Sequence, residues 1–486
     1  MISTTLFLKP PVEGSGRNVV RDFLYGCWCN GRRIGGMQMP PLNELFSATH
    51  ARQDGVKTEL LDAFVEPERW AGLVKAGLPG ISSVAIMSST QSFQDDLHCL
   101  RTIRETKPSI RTILFGSHPT FMPDFAINHD EVDFIIQGEP EGVIRNLLGR
   151  LKDEADVSDL PGIGYKDVSG IFHVNPPGPF LNLNDLPIPD RTLLPKGADY
   201  FNPVIKRAPY TTMLTSRGCP AKCSYCTAPA FYGNKTRVRS AELVLEELRQ
   251  ISRLGYREIF FRDETFSAYK GRNRTIFEGM KRENLDFTWI ANARVDMIDR
   301  EMMKEMKAAG CHMLKFGVES GDDAILAAYN KGATAEQAIA AFRIAHEVGI
   351  DAHAHIIFGG KGETIKTIRE TVRFVKTLRP ATVTFGILTP YPGTALFRDV
   401  AASHPEIMDG SASTMKNLHT SGFFSEAICG LSSDQLHHEV VRAYRHFYMR
   451  PGYILERMLR VNSFEELVIS AIAGTHVLNF AISGQK

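Results

Sequence analysis

Short apolar runs alternate with helix-period stretches along most of this chain. Before residue 150 the runs are Thr5–Leu8, Thr58–Asp62, Ser82–Ser88, Arg111–Phe115 and Val132–Ile136, all rich in β-branched residues. Asp95–Glu105 between them has helical spacing. Such alternation predicts a doubly wound, Rossmann-like α/β domain, a parallel sheet with helices on both faces. Ligands of these sheets collect at the carboxyl ends of the strands. The turns there are Ser88-Ser89-Thr90, Gly116-Ser117-His118-Pro119-Thr120 and Gly138-Glu139-Pro140-Glu141.

Residues 155 to 205 carry Pro161, Pro176, Pro177, Pro179, Pro187, Pro189 and Pro195, which break any long element. A connecting segment with at most a small hairpin is expected. From 206 to 400 the beat returns, with candidate strands Thr211–Thr215, Glu258–Arg262, Phe287–Asn292, Met313–Val318, Ala352–Phe358 and Thr382–Leu388. Ser240 is placed to N-cap a helix carrying Val244, Leu245, Leu248 and Ile251 and ended by Gly255. Thr334 and Gln337 form a capping box before Ile339 and Phe342, with Gly349 at the end. Six strands with six crossovers predict a partial (β/α)6 barrel, since a complete barrel takes about 250 residues. Beyond 400 the pattern is helical, best at Leu436–Tyr448 and Phe464–Leu478. The expected domains are 1–150, a linker at 151–205, a barrel at 206–400 and a helical region at 401–486.

Composition narrows the classes. The chain has 486 residues, 43% of them hydrophobic, enough for more than one core. With 23% charged residues and a formal net charge of +1, nothing marks a nucleic-acid-coating protein. Met1–Val12 lacks a signal-peptide pattern. Phe464–Ile482 is apolar but contains Glu465, Glu466, His476 and Asn479, which favours a packed helix over a membrane span. A cytoplasmic protein is expected. Eight cysteines in such a chain are no disulfide framework. Cys27, Cys29, Cys99, Cys311 and Cys429 read as buried or idle thiols.

The other three stand together in Ser216-Arg217-Gly218-Cys219-Pro220-Ala221-Lys222-Cys223-Ser224-Tyr225-Cys226, after the first barrel strand. Three thiolates within eight residues suit three irons of a [4Fe–4S] cluster and leave the fourth iron open to a small molecule. Zinc is the bland alternative, but a structural zinc is closed by four ligands, and His118 or His312 would have to supply the last from far away in sequence. Lys206 to Ser240 holds seven Lys or Arg and no Asp or Glu. That charge offsets a negative cluster, or is simply a solvated basic face. His353 and His355 share one strand face and read as polar lining.

The CxxxCxxC spacing, Tyr225 and the barrel position resemble the radical S-adenosylmethionine superfamily. The resemblance implies that the open iron chelates the methionine end of S-adenosylmethionine, whose reductive cleavage yields a 5′-deoxyadenosyl radical. Ile259-Phe260-Phe261-Arg262-Asp263-Glu264-Thr265-Phe266 is similar to the second-strand segment whose acidic end meets the methionine ammonium. Gly317-Val318-Glu319-Ser320-Gly321 resembles the fourth-strand segment that meets the ribose hydroxyls. Glu319 paired with Arg294 in a barrel-top ion pair is the structural alternative. Tyr225, Asp263, Glu264, Arg294, Glu319 and Ser320 are therefore the candidate cosubstrate contacts. Phe358-Gly359-Gly360-Lys361-Gly362-Glu363-Thr364 and Pro390-Tyr391-Pro392-Gly393-Thr394 look like signatures of the cobalamin-associated branch.

A doubly wound domain directly before such a barrel resembles the cobalamin-binding domain of that branch. The histidine motif DxHxxG is absent after the first strand, as it is in many members that hold cobalamin without a protein nitrogen on cobalt. Candidate cobalamin contacts are Ser88, Ser89, Gly116, Thr120 and Gly138. A degenerate domain that binds nothing is the alternative. The resemblance implies a methyltransferase acting on an unactivated carbon of a small molecule, lipid or tetrapyrrole. The alternatives are a ring-forming or ring-contracting enzyme, a methylthiotransferase with Cys27, Cys29 and Cys99 on a second cluster, or a non-catalytic iron–sulfur protein. It also implies an external one-electron reductant such as flavodoxin or ferredoxin, while the charge balance and the polar residues of Phe464–Ile482 lead us to expect neither a nucleic-acid partner nor a membrane span.

Overall fold

The computed structural model describes residues 4–11, 37–198, 200–409, 424–461 and 463–484. Cys27 and Cys29 lie outside them. The described chain divides into two compact units, one built mainly from residues 40–198 and the other mainly from 200–400 with the C-terminal helices.

The first unit holds β1 (Thr4–Lys9), β2 (Lys57–Asp62), β3 (Ile81–Met87), β4 (Arg111–Phe115) and β5 (Phe134–Ile136). They pair in parallel in the order β2-β1-β3-β4-β5. Near-continuous apolar runs allow this burial on both faces. Val84, Ile86, Leu114 and Ile135 join Leu97, Leu100 and Ile103 of the helix Phe93–Thr106 in one core. The sheet does not stop at five strands. β6 (Ile163–Lys166) and β7 (Phe172–Val174) form a hairpin that adds antiparallel to β5. The prolines that suggested a linker flank this hairpin: Gly162 donates to the Pro176 carbonyl at 2.8 Å. Proline cannot supply a ladder donor, so it marks the end of pairing.

The second unit is an all-parallel sheet in which every strand neighbours the next in sequence: β8 (Tyr210–Met213), β11 (Glu258–Phe261), β12 (Thr288–Ala293), β13 (Cys311–Glu319), β14 (Asp351–Phe358) and β15 (Thr382–Ile387). A two-stranded clasp, β9 (Ser216–Arg217) with β10 (Arg237–Val238), sits between β8 and β11. Side chains alternate as period two requires. Trp289, Ala291, Leu314, Phe316, Ala354 and Ile356 enter the core under the helices. Ile290 and Met313 point the other way, into the sheet's concave side with Phe260. Trp289 stacks on Phe277 at 5.7 Å and donates its indole N–H to the Ala309 carbonyl at 2.7 Å. The capping reads as the sequence implies: Ser240 accepts from the Leu243 amide, Thr334 and Gln337 form their box, and Gly349 ends its helix at φ 76°.

Six strands leave β15 as an edge, a hazard because its backbone groups would be unpaired. The helix Ser433–Tyr448 closes it with tyrosines. The Tyr448 hydroxyl accepts from the Val383 amide at 2.8 Å and donates to the Val383 carbonyl at 2.6 Å. Tyr444 accepts from the Phe385 amide, and Tyr453 donates to the Ala381 carbonyl at 2.9 Å.

The final helix departs from expectation. Phe464–Ser483 packs on the core along one side, through Val477, Phe480 and Ala481, but only 6% of the window Glu466–Ser483 is buried, and this is the one described helix long and apolar enough to cross a membrane.

At the amino ends of the strands Glu258 is fully buried. It accepts from the Lys206 and Arg207 amides at 2.7 and 2.8 Å, from the Thr288 hydroxyl at 2.9 Å, and meets His312 Nε2 at 2.8 Å. Glu258→Ala strands these partners in the core, so urea unfolding of this unit is expected to show a loss of about 3 kcal/mol or more.

Candidate functional site

The cysteine loop is the turn of the β9–β10 clasp. Gly218 opens it at φ 89°, and a Cβ there would stand 2.7 Å from the Lys235 carbonyl oxygen, so the clasp closes only over glycine. Ser224 and Tyr329 tie the far side of the loop, through a 2.9 Å bond from the Ser224 amide to the Tyr329 carbonyl. Cys219, Cys223 and Cys226 are all free and partly exposed. Burial pushes the Cys219 thiol up and the Cys226 thiol up to about 12, with Cys223 adding to both. Cys223 thus acts on both of the other thiols, and a bound metal would take the place of their protons. Among the described residues no three Cys, His, Asp or Glu side chains converge as a single ion requires. Thr265 Oγ1 stands 3.2 Å from Cys219 Sγ, and Arg294 Nη1 donates to Cys223 Sγ at 3.8 Å.

The acidic pair after β11 splits into two jobs. Asp263 is fully buried and its carboxylate is spent on the chain: the Thr215 amide donates at 2.7 Å and the Ser216 hydroxyl at 2.6 Å, with the Thr215 hydroxyl on the same oxygen and Arg272 at 4.0 Å. Glu264 uses one oxygen, Oε2, to accept from the Gly218 amide at 2.8 Å, while its buried Oε1 has no partner in the chain. Burial, then the Asp263 charge, pushes the Glu264 carboxyl well up. An unpaired buried acceptor is costly unless a ligand donor meets it.

Glu319 is a second such acceptor. Its ion-pair partner is Lys331, at 2.7 Å, and not the expected Arg294. Arg294 instead forks onto Asp296 at 2.9 Å and donates to the Lys331 carbonyl at 2.6 Å. Sequence spacing could not foresee Lys331, which reaches Glu319 only because the chain turns back after the helix Asp323–Ala328. Glu319 Oε2 is buried and has no partner in the chain, and the residue holds φ 65° at an irregularity in the β13–β14 pairing. A non-glycine residue kept in this region is strained, and such strain collects at functional sites. Tyr225 is half-buried beside Glu319 and the thiols, 5.3 Å from the Tyr329 ring. Ser320 stands apart: its hydroxyl is engaged by Thr371 at 3.2 Å and by the Asp322 amide at 3.1 Å.

These donors and acceptors fit the absent groups chemically. Three thiols suit a cluster, Arg294 and Lys331 balance its negative charge, and the free oxygens of Glu264 and Glu319 suit an ammonium and hydroxyls.

In the first unit, four of the five expected cobalamin positions form one network at the ends of β3, β4 and β5. The Ser88 amide donates to the Phe115 carbonyl at 2.7 Å. Gly116 lies so close that a Cβ would stand 2.3 Å from the Ser88 carbonyl oxygen. Thr120 Oγ1 donates to the Gly116 carbonyl and accepts from the Gly138 amide at 2.9 Å. Gly138 faces open space at φ 70°, and Ser88 Oγ is buried with no partner in the chain. A crest of backbone with an unused hydroxyl suits a large ligand lying on it. Ser89 stands beside them, its amide bonded to Ser92 Oγ at 3.0 Å.

Two family models match. The B12 binding domain model covers residues 35–148 and the Radical SAM superfamily model covers residues 213–375. An uncharacterised methyltransferase of Pyrococcus horikoshii is 30% identical over 455 residues, covering 91% of this chain and 95% of the relative. This chain belongs to the cobalamin-dependent radical S-adenosylmethionine enzymes. Its cofactors are a [4Fe–4S] cluster, S-adenosylmethionine and cobalamin. The bacteriochlorophyllide d C-12(1)-methyltransferase of Chlorobaculum tepidum is 27% identical, over 74% of this chain and 73% of that one. The fold is shared with the radical S-adenosylmethionine methyltransferase TsrM of Kitasatospora setae, solved with cobalamin and [4Fe–4S] cluster bound. That likeness has a TM-score of 0.65 and 16% identity, and covers 83% of this chain and 75% of TsrM.

Sequence reasoning missed Glu363 as a site residue. Its Oε2 accepts from the Gly359 and Gly360 amides and fixes the turn after β14, while Oε1 is buried and has no partner in the chain. The signal lay in the glycines of Gly359-Gly360-Lys361-Gly362-Glu363, which leave amides for a carboxylate to collect.

Two outcomes are expected. Asp263→Asn disturbs the exit of β8 and lowers both thermal stability and iron content, whereas Glu264→Gln keeps iron and stability and weakens S-adenosylmethionine binding about tenfold, read by calorimetry on the reconstituted enzyme. Burial pushes the Glu363 carboxyl up from 4.5 to about 7. The folded protein thus holds this proton longer than the unfolded chain, so stability falls as pH rises from 4.5 to about 7 and then levels. Glu363→Gln should remove that part of the slope in thermal melts across the window.

Proposed function

We propose that the protein transfers a methyl group to an unactivated carbon of an apolar small molecule, of the lipid or tetrapyrrole class. The observation that carries this reading is the pairing of two ligand-ready sites in one chain. One has free acceptors at Glu264 and Glu319 beside three thiols, and the other is the Ser88–Gly116–Thr120–Gly138 crest. When bound, the cofactors supply a substrate-activating radical and a methyl carrier, chemistry that no side chain provides.

The chain's own residues bind, orient and exclude water. Glu264 and Glu319 would receive the ammonium and ribose hydroxyls of S-adenosylmethionine, each through its one free oxygen. Lys331 holds Glu319 in place, and Arg294 sets positive charge against Cys223. Tyr225 packs with Tyr329, Ile325, Ile357 and Leu388 in an apolar wall beside the cysteine loop. A dry wall matters because a radical exposed to solvent is quenched. The apolar substrate class is supported by the methyltransferase of bacteriochlorophyllide d among the relatives.

The test supplies S-adenosylmethionine labelled with carbon-13 in its methyl group, a one-electron reductant and a lipid and pigment extract to the cobalamin-loaded enzyme. Label is expected in an organic-soluble product, with 5′-deoxyadenosine and S-adenosylhomocysteine formed in comparable amounts. A ring-forming enzyme would instead yield 5′-deoxyadenosine without matching S-adenosylhomocysteine and without label in product, and that result would overturn methyl transfer.

A further inference from the structure

We infer that the last two helices form a seat for the surface of an anionic lipid bilayer. The inference concerns an interaction surface and stands apart from the reaction proposed above.

On the helix Phe464–Ser483 the residues Phe464, Leu467, Val468, Ile472, Leu478 and Ile482 are all exposed, Phe464 at 80% and Ile482 at 62%. Their spacing puts them on one side of the helix. The opposite side is the covered one. There Val477, Phe480 and Ala481 pack on the core, with Phe480 5.1 Å from the Tyr444 ring. The preceding helix Pro451–Leu459 repeats the arrangement. Ile454, Leu455, Met458 and Leu459 face out, Leu459 at 77%, while Tyr453 turns inward and donates to the Ala381 carbonyl. Surface helices of soluble proteins put polar residues outward. Two consecutive helices here do the reverse, and an exposed apolar surface of this extent marks an interaction site.

Charge selects the occupant. From Arg442 to Arg460 the chain has five arginines and one glutamate. Arg442, Arg445 and Arg450 lie in one patch with Lys376 and His446. Burial, then Arg450 and Arg442, holds the Lys376 ammonium below its ordinary value, and burial, Arg442 and Lys376 do the same to His446. Carboxylates here are already committed, Glu439 to Arg369 and Arg442, and Glu456 to Arg460 and Arg379. A second copy related by a two-fold axis would set this cationic rim against itself. An anionic bilayer meets it with opposite charge while accepting the apolar side chains.

The helix is held flat rather than free to cross. His437 Nε2 meets the Gly484 carbonyl at 3.0 Å, and Arg445 donates to the Ala481 carbonyl at 2.8 Å. Tied to the protein at its carboxyl end, the 20-residue helix, about 30 Å long, would lie along the bilayer surface with its apolar side down.

The test is co-sedimentation of the full-length, cofactor-loaded protein with vesicles of phosphatidylcholine, with and without phosphatidylglycerol. Binding is expected to the anionic vesicles and to weaken as salt rises. The triple variant Leu459→Ser, Leu467→Ser, Ile472→Ser replaces exposed residues only. It should keep iron content and melting temperature and lose vesicle affinity by more than about tenfold. Three results would each overturn the seat: no binding of the parent protein to anionic vesicles, undiminished binding by the triple variant, or a parent dimer in sedimentation that the triple variant turns into monomer.

Discussion

The buried carboxylate of Asp263 fixes where the barrel ends and the cysteine loop begins. It draws the Thr215 amide and the Thr215 and Ser216 hydroxyls onto two oxygens, in a place with no water to compete. A charge this deep is tolerable only when each oxygen is met by donors. β9 therefore leaves β8 at a set angle, Gly218 starts the loop, and Glu264 beside Asp263 takes the Gly218 amide. One adjacent pair of acids thus divides into a residue that holds backbone and a residue that keeps an oxygen for ligand.

The same economy recurs at the other strand ends. Lys331 satisfies half of Glu319, two glycine amides satisfy half of Glu363, and each leaves a buried oxygen unused. Half-satisfied carboxylates are unfavourable in an empty site and favourable in an occupied one, so ligand binding and stability are coupled here. In the first unit the backbone does this work. Gly116 approaches Ser88 too closely for a side chain, and Thr120 bridges to Gly138, which faces open space, so the crest is open to a flat ligand.

The edge of the second sheet shows how an incomplete barrel is made safe. Six strands expose β15, and Tyr444, Tyr448 and Tyr453 supply hydroxyls in place of a seventh strand. One of the helices that bring these tyrosines, Pro451–Leu459, also carries an outward apolar face. Closing the sheet and presenting an apolar surface are two sides of that segment.

Strand and helix order was legible from the chain because local chemistry decides it. β-branched runs, the Ser240 and Thr334 caps and the glycine at 349 act within a few residues, and the six strands of the second unit lie where the pattern sets them. The cysteine spacing likewise announced its chemistry. Partnership was not legible, because it depends on residues far apart in sequence. Nothing near Glu319 pointed to Lys331, and nothing in Asp263-Glu264 said which acid would be spent on Thr215 and Ser216, 48 and 47 residues from Asp263. A small hairpin was legible among the prolines, but its antiparallel addition to β5 was not, because that pairing joins residues far apart in sequence. How much of the last helix is covered was not legible for a related reason: hydrophobicity says that a side chain avoids water, and only the packed structure says whether the protein itself provides the cover.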